Sequence, residues 1–351
     1  MQGQDDAHRQ DDARGQDDAV RGLTARPLSR DAVSAWLELH EAVERIDRAG
    51  EHVDAAELVE VLEDPKLDLA RDSTGWWDGE RLVAYGVLHT PHGASDAARF
   101  GGDAAVHPAL RRRGLGTGLV NWLADRAAAR HAENPELADL KGELLLDGLA
   151  GDEGLRRLAE NCGFAPSRWW FTMKHPLDSD RPDPRPAPEG TRSVPYGPEH
   201  DEATRLAHND AFRDHWNFTE LDRADWHTRV TGAGAFRPAM SRLLVAGDEV
   251  VAYLLAEEND AKTAATGRRD CHVGYLGTRR AWRGRGAAPA LLAELLGAAR
   301  DAGYDTASLT VDTANPSGAL GFYQQTGFTV DRESVTYARP LEAAVPEDGA
   351  R

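Results

Sequence analysis

The second half of the chain repeats the first, and no other feature constrains the architecture as much. Gly79-Glu-Arg-Leu-Val-Ala-Tyr85 lines up with Gly247-Asp-Glu-Val-Val-Ala-Tyr253. Arg111-Arg-Arg-Gly114-Leu-Gly116 lines up with Arg283-Gly-Arg-Gly286-Ala-Ala288, and Gly163-Phe164 with Gly327-Phe328. Each half thus carries its own hairpin, glycine-rich turn, long helix and closing strands. A chain of 351 residues has room for two such units, each with a core of its own.

The turn is most explicit in the second half. Cys271-His-Val-Gly-Tyr-Leu-Gly277 reads as a strand. After Gly286 the residues Leu291, Leu292, Leu295, Leu296 and Ala299 recur at helical spacing. Pro289 suits the first helical turn and Gly303 stops the helix. Arg279, Arg280, Arg283 and Arg285 crowd the connection. Bare amides at a helix N-terminus, with the helix dipole, favour a bound phosphate. Glycine lets that phosphate approach without a Cβ in the way. Taken alone, the turn fits a structural strand-to-helix connection with solvated arginines equally well. It is no nucleotide P-loop, because no Gly-Lys-Ser/Thr follows, and no dinucleotide fingerprint, because no Gly-x-Gly-x-x-Gly opens the helix.

Arg-x-x-Gly-x-Ala, from Arg283 through Gly286 to Ala288, resembles the acetyl-CoA pyrophosphate loop of the GNAT superfamily of N-acetyltransferases. A second part of that signature follows in order: Asn315-Pro-Ser-Gly-Ala-Leu-Gly-Phe-Tyr323-Gln-Gln-Thr-Gly327-Phe328. Both halves resemble GNAT domains, and the likeness covers nearly everything between Gly22 and Arg339. The two-repeat arrangement is similar to that of mycothiol synthases. The resemblance implies an α/β (α+β) protein of two tandem GNAT-like domains. Each would be a mixed, mostly antiparallel sheet flanked by helices, with a splay between central strands that admits the cofactor.

By the same resemblance the cofactor is acetyl-CoA. The amides of Arg283, Gly284, Arg285, Gly286, Ala287 and Ala288 would cradle its pyrophosphate. The strand at Leu276, Gly277 and Thr278 would pair with the pantetheine arm, and the Leu276 amide would polarise the thioester carbonyl. In the first half Val106, Arg111, Arg112, Arg113, Gly114, Leu115 and Gly116 form the matching cofactor loop. Tyr323 stands where the family's general acid stands; a phenol is neutral at cell pH and can donate to a thiolate. The alternative is a core tyrosine. Asn315 either bonds the cofactor arm or caps a helix starting near Ser317. Glu257 ends a strand near where family members carry a base, and is otherwise an acidic strand end; Glu258 faces the opposite way. His215 and Trp216 would border the acceptor, or else are a surface histidine and a packed aromatic.

The first half departs from the pattern at the decisive places. Ala159 occupies the position of Tyr323, and His89 that of Glu257. That half therefore reads as a cofactor-binding or scaffolding repeat, and the chemistry is expected in the second. The expected reaction is acetyl transfer to a primary amine of a small molecule or peptide by direct attack. Two alternatives stand beside it: acetylation of a cysteinyl amino-sugar, as in mycothiol synthases, and a CoA-binding module without turnover.

Composition narrows the partners. A net charge of −18 repels phosphate backbones, which argues against nucleic-acid binding. No apolar run reaches membrane-spanning length and no signal segment opens the chain, so a cytoplasmic protein without membrane contact is expected. Cys162 and Cys271, one in each half, have no metal-ligand spacing and read as reduced thiols. Residues 1–21, with Gln-Asp-Asp-Ala starting at Gln4, Gln10 and Gln16, read as a disordered acidic arm. The expected domains are 22–174 and 199–340, joined by a proline-rich linker, 175–198, with a disordered tail, 341–351. Nothing in the sequence fixes the acceptor or the oligomeric state.

Overall fold

The computed structural model describes residues 22–91, 96–178, 185–315 and 318–342. The repetitive arm, most of the tail, part of the proline-rich stretch and the expected helix start at Ser317 lie outside the described residues. The chain forms two compact units. One comprises the residues up to Ser167 together with those from Val335 onward; the other runs from Arg168 to Ser334.

In the first unit the strands are β1 (Thr24–Arg26), β2 (Ser73–Asp78), β3 (Arg81–His89), β4 (Ala97–Val106) and β5 (Lys141–Leu149). They lie in that order, and the end of β12 (Thr329–Pro340) follows β5. All the pairs from β1 to β4 are antiparallel, whereas β4 and β5 are parallel. Helix α1 (Val33–Asp47) and helix α2 (Ala55–Leu62) cover one face, packing Trp36, Leu39, Leu58 and Leu62 on Tyr85 and Val87. Helix α3 (Leu115–Glu133) covers the other, with Val120 and Leu123 on Leu88, Phe100 and Leu144. The alternation of Val87 and Leu88 between the two cores is the period-2 signature of a strand buried on both faces. Helix α4 (Glu153–Asn161) starts at Asp152, whose carboxylate accepts from the Leu155 amide at 3.0 Å.

The second unit repeats this plan. Its strands are β6 (Ala165–Pro176), β7 (Arg192–Pro195), β8 (Arg242–Ala246), β9 (Glu249–Glu257), β10 (Asp270–Thr278) and β11 (Thr306–Asp312). The order is β6-β11-β10-β9-β8-β7, and β10 with β11 is the parallel pair. Helix α5 (Asp201–Phe212) packs on Tyr253 and Leu255 of β9. Helix α6 (Asp260–Thr266) joins β9 to β10. Helix α7 (Ala287–Asp301) packs Leu291, Leu292 and Leu295 on Leu254 and Ala256, the opposite face of β9. Helix α8 (Ala319–Gln325) follows β11.

The closing strands are exchanged between the repeats. β6, which ends the first repeat, pairs with β11 from Trp170↔Asp312 to Pro176↔Thr306. The end of β12, which closes the second repeat, lies in the first unit. There Val335 and Tyr337 are buried beside Leu144 and Phe164, Thr336 donates to Asp147, and the Leu341 amide reaches the Gly142 carbonyl at 2.9 Å. Within the stretch read as a linker, β7 forms an edge strand on β8, with Pro195 at its end.

Candidate active site

The site begins where two parallel strands part. β10 pairs with β11 only from Asp270 to Val273, and from Tyr275 to Thr278 it keeps β9 alone. Gly274 is the bulge between these regimes, because the register steps from Val273↔Ala256 to Tyr275↔Leu255. The β11 side of Leu276, Gly277 and Thr278 therefore carries backbone groups with no ladder partner. β4 behaves alike: it pairs with β5 as far as Gly102, and Asp103–Val106 keep β3 alone.

Each parted strand runs into a glycine turn, and the two turns match bond for bond. Arg279 N donates to Val251 O at 2.9 Å, as His107 N does to Val83 O at 2.8 Å. Trp282 N donates to Arg279 O at 2.8 Å, as Leu110 N does to His107 O at 2.8 Å. Gly114 (φ +85°) and Gly286 (φ +89°) are the left-handed N-caps of α3 and α7. Neither cap has a side-chain hydrogen bond, so the first-turn amides of Ala287 and Ala288 have no capping partner. A Cβ built on Gly284 or Gly286 meets nothing within 4 Å, which leaves the approach to these amides open. Gly284 has φ +74°, whereas its counterpart Arg112 is forced to φ +64°.

The arginines brace the turn. Arg283 donates to Ala211 O at 2.7 Å and pairs with Asp214 at 3.5 Å. Arg280 pairs with Asp214, and Arg279 donates to Val250 O at 2.7 Å. Arg285 lies over Trp282 at 4.9 Å. In the first unit Arg111 grips Asp47 with two bonds of 2.6 Å. The side chains of Leu115 and Ala287 are buried, so only their backbone faces the turn. These contacts hold the amides in place.

Tyr323 lies on α8, packed against Phe322 and Phe328 at 5.1 and 6.0 Å between ring centroids. Burial pushes its phenol up to about 12, which keeps it protonated. The end of α8 reproduces the end of α4: Phe328 N donates to Tyr323 O at 3.0 Å, as Phe164 N does to Ala159 O at 2.9 Å. Tyr323 and Ala159 are thus equivalent positions, and Ala159 is fully buried. Asn315 follows the turn after β11, its amide on Asp312 O at 3.2 Å.

Glu257 ends β9 beside the bulge. Its Oε1 lies 2.2 Å from where a Cβ of Gly274 would stand, so the glycine leaves room for the carboxylate. Burial pushes Glu257 above the usual carboxylate range. Glu258 faces the other way and is structural: Arg269 donates to it at 2.8 and 3.0 Å, and the Tyr304 hydroxyl at 2.7 Å. His89 pairs across to Gly101 in the first unit.

His215 packs on Phe212 at 4.3 Å, and Trp216 on Trp170 at 6.1 Å with Arg168 over its ring at 5.2 Å. Burial, then the Arg283 charge, holds His215 below its ordinary value, against the pull of Asp312 and Asp214. The buried Asp312, which ends β11 and pairs with Arg168 at 3.3 Å, is a neighbour that sequence reading missed.

A second omission is His208 on α5, buried among Phe212, Trp226 and Tyr275, with Nδ1 2.8 Å from the Tyr253 hydroxyl. The Tyr253 ring fills the space a Cβ on Gly277 would need, at 2.4 Å, which is why glycine stands there. His40 precedes Gly79 at the spacing by which His208 precedes Gly247, and His40 packs on Tyr85 at 5.3 Å. That repeated histidine was a legible signal. Burial pushes the Cys271 thiol up to about 12, so it offers no thiolate. Among the described residues no cluster could hold a metal ion, and no helix is long and apolar enough to cross a membrane.

Two units of mixed strands, each with a parted parallel pair running into an open glycine-capped helix, define a tandem α/β acetyltransferase fold. The acetyltransferase (GNAT) family model matches residues 36–143 and 202–328, well over half of the chain, and the chain belongs to that family. Among its relatives, a mycothiol acetyltransferase of Thermobispora bispora is 28% identical over 274 residues, 75% of this chain and 82% of the relative. A mycothiol acetyltransferase of Nocardiopsis dassonvillei is 28% identical over 278 residues, covering 75% and 80%. A GCN5-related N-acetyltransferase from Sphaerobacter thermophilus shares the fold with a TM-score of 0.70 at 24% identity, over 92% of this chain and 97% of that one. A tandem GNAT protein from the clavulanic acid biosynthesis pathway matches with a TM-score of 0.63 at 18% identity, over 92% and 100%.

Proposed function

We propose that this acetyltransferase moves an acetyl group from acetyl-CoA to a primary amine, and that the chemistry belongs to the C-terminal repeat. The observation that carries the reading is Tyr323, a half-buried phenol on the helix that follows β11, packed against the core, where the first repeat has Ala159. The open approach at Gly284 and Gly286 and the uncapped first-turn amides of α7 fit a pyrophosphate. The unladdered edge at Leu276, Gly277 and Thr278 fits the amide-bearing arm that leads to the thioester. Acetyl-CoA supplies the activated acetyl group when bound.

The chain's residues supply the rest. Glu257, with its affinity for protons raised by burial, takes a proton from the acceptor's ammonium. The neutral amine attacks directly; Cys271 is buried as a thiol and carries no acyl group. The Leu276 amide stabilises the carbonyl oxygen as charge develops on it. Tyr323 donates its proton to the departing thiolate. His215 and Trp216, with Asp312 nearby, border the acceptor, and a buried carboxylate suits a cationic amine.

The names of the two bacterial relatives favour a cysteinyl amino-sugar as the first acceptor to try. The testing experiment incubates the purified chain with acetyl-CoA and a panel of amines that includes it. Mass spectrometry should find one product heavier by an acetyl group, together with stoichiometric CoA release. CoA binding without any acetylated product would favour a module without turnover.

A further inference from the structure

Behind Glu257 lies a row of polar side chains that the steps above do not use. His272 on β10 stands directly opposite Glu257 on β9 and Ser308 on β11. Residues paired across a sheet share a face, with Cβ atoms about 4.5–5.5 Å apart. The face is settled by its neighbours: Cys271, Val273, Ala307 and Leu309 pack in the core beneath α7, so His272 and Ser308 point the other way. Glu257 alternates with Ala256 of that same core and therefore shares their side.

The hydrogen bonds along this row have one consistent direction. Asp270 is buried. Burial works against its charge, but Lys262, Thr306 and Ser308 together hold it below its ordinary value. Lys262 Nζ reaches Asp270 at 2.9 Å and Thr306 Oγ1 donates to it at 2.7 Å. Ser308 Oγ donates to Asp270 Oδ2 at 2.7 Å, and His272 Nδ1 lies 2.9 Å from the same Ser308 oxygen. The serine has one hydrogen, and the carboxylate takes it. Ser308 must therefore accept from His272, which fixes the proton on Nδ1 and leaves Nε2 as a lone pair on the side of the ring away from β11.

We propose that His272, oriented by Ser308 and Asp270, is a second station for the proton that leaves the acceptor amine. This rests on the reading of Glu257 as the base. Glu257 takes the proton from the ammonium and passes it to His272 Nε2: its O–H bond breaks, an N–H bond forms, and no electrons are exchanged. The imidazolium is balanced through Ser308 by the Asp270 carboxylate, and Glu257 is returned to its basic form. His272 is a positioning and relay residue, because it stands across the strand pair from Glu257 and is assigned no contact with substrate.

The test is the imidazole nitrogen spectrum of the whole chain, with His272→Gln identifying its signals among the 13 histidines. In the unaltered protein neutral His272 should carry its proton on Nδ1. If the two groups exchange a proton, Glu257→Gln should weaken its proton affinity about fourfold or more, the effect of losing a unit charge within about 5 Å even in a water-like medium. Ser308→Ala should mix the two tautomers, whereas Thr306→Val, which removes a bond to Asp270 off the path, should not. An Nε2-protonated ring, an unchanged affinity in Glu257→Gln, or equal effects of Ser308→Ala and Thr306→Val would each overturn the relay. Turnover with a cysteinyl amino-sugar separates the two readings. Full activity in Glu257→Gln would remove the base assignment itself. Slow Glu257→Gln with unimpaired His272→Gln would remove only the relay.

Discussion

Gly274→Ala tests the placement of the base with little disturbance elsewhere. Gly274 is absent from the positive-φ positions, so alanine meets no backbone penalty there. Its new Cβ would stand 2.2 Å from Glu257 Oε1 and 2.6 Å from Cδ, where ordinary contact begins at 3.4 Å. The carboxylate must therefore move by about 1.2 Å, and as the end of a flexible side chain it can. A misplacement of about 1 Å at a reacting group costs up to about a hundredfold in rate. We expect kcat to fall between tenfold and a hundredfold, with acetyl-CoA affinity unchanged and the melting temperature nearly so. Stopped assays of CoA release, isothermal titration with acetyl-CoA and a thermal melt on one preparation measure all three. Unchanged kcat would refute the assignment of Glu257. The contrast is Gly277→Ala, whose Cβ would meet the ring of Tyr253 at 2.4 Å. That ring cannot step aside, so a loss of about 1–3 kcal/mol of stability is expected in a denaturant titration.

Two more predictions follow from the turn and from the buried histidine. Gly286→Asp puts a β-carbon and a negative charge at a left-handed cap facing the anion site, so titration calorimetry should lose the acetyl-CoA binding event of the C-terminal repeat; retained affinity would remove the pyrophosphate assignment. Burial pushes His208 down to about 4 from an ordinary 6.5, so the folded state prefers the neutral ring; its contribution is intact above pH 6.5 and is lost as the pH falls toward 4, by up to about 3 kcal/mol. Urea unfolding at pH 7 and pH 4.5 should show a smaller difference in His208→Gln than in the parent, and an equal difference would mean that the ring is solvated.

The repeat, the turns and the asymmetry between Tyr323 and Ala159 were legible because each rests on local pattern. Helical spacing after Gly286 and glycine at a left-handed cap are written in consecutive residues. The exchange of closing strands was not legible, since β6 and β12 have the same local character whichever sheet receives them. β4 was only partly legible. Ala97–Val106 has few β-branched residues, and Gly102 is there because Leu146 and Leu123 would stand 2.9 and 3.1 Å from a Cβ, a reason visible only in three dimensions. Asp222 to Val230 reads as one helix. The chain instead makes Arg223–Trp226 and then a wider turn, His227–Thr231, where the Gly232 amide reaches back to His227 O at 2.7 Å. The arginines of the turn were visible as a cluster, but their partners Asp47, Asp214 and Ala211 are distant in sequence.

The central claim is that acetyl transfer takes place in the C-terminal repeat, with Tyr323 as the proton donor. The most direct measurement compares Tyr323→Phe with the paired substitution Arg111→Ala and Gly114→Asp, in the full chain, by mass spectrometry of the acetylated acceptor. Tyr323→Phe keeps the ring and removes the proton, so turnover should fall by roughly a hundredfold to ten-thousandfold while acetyl-CoA affinity barely changes. The N-terminal pair should leave most of the turnover in place. Full activity in Tyr323→Phe, with turnover abolished in a stably folded N-terminal variant, would contradict the account and move the chemistry to the first repeat.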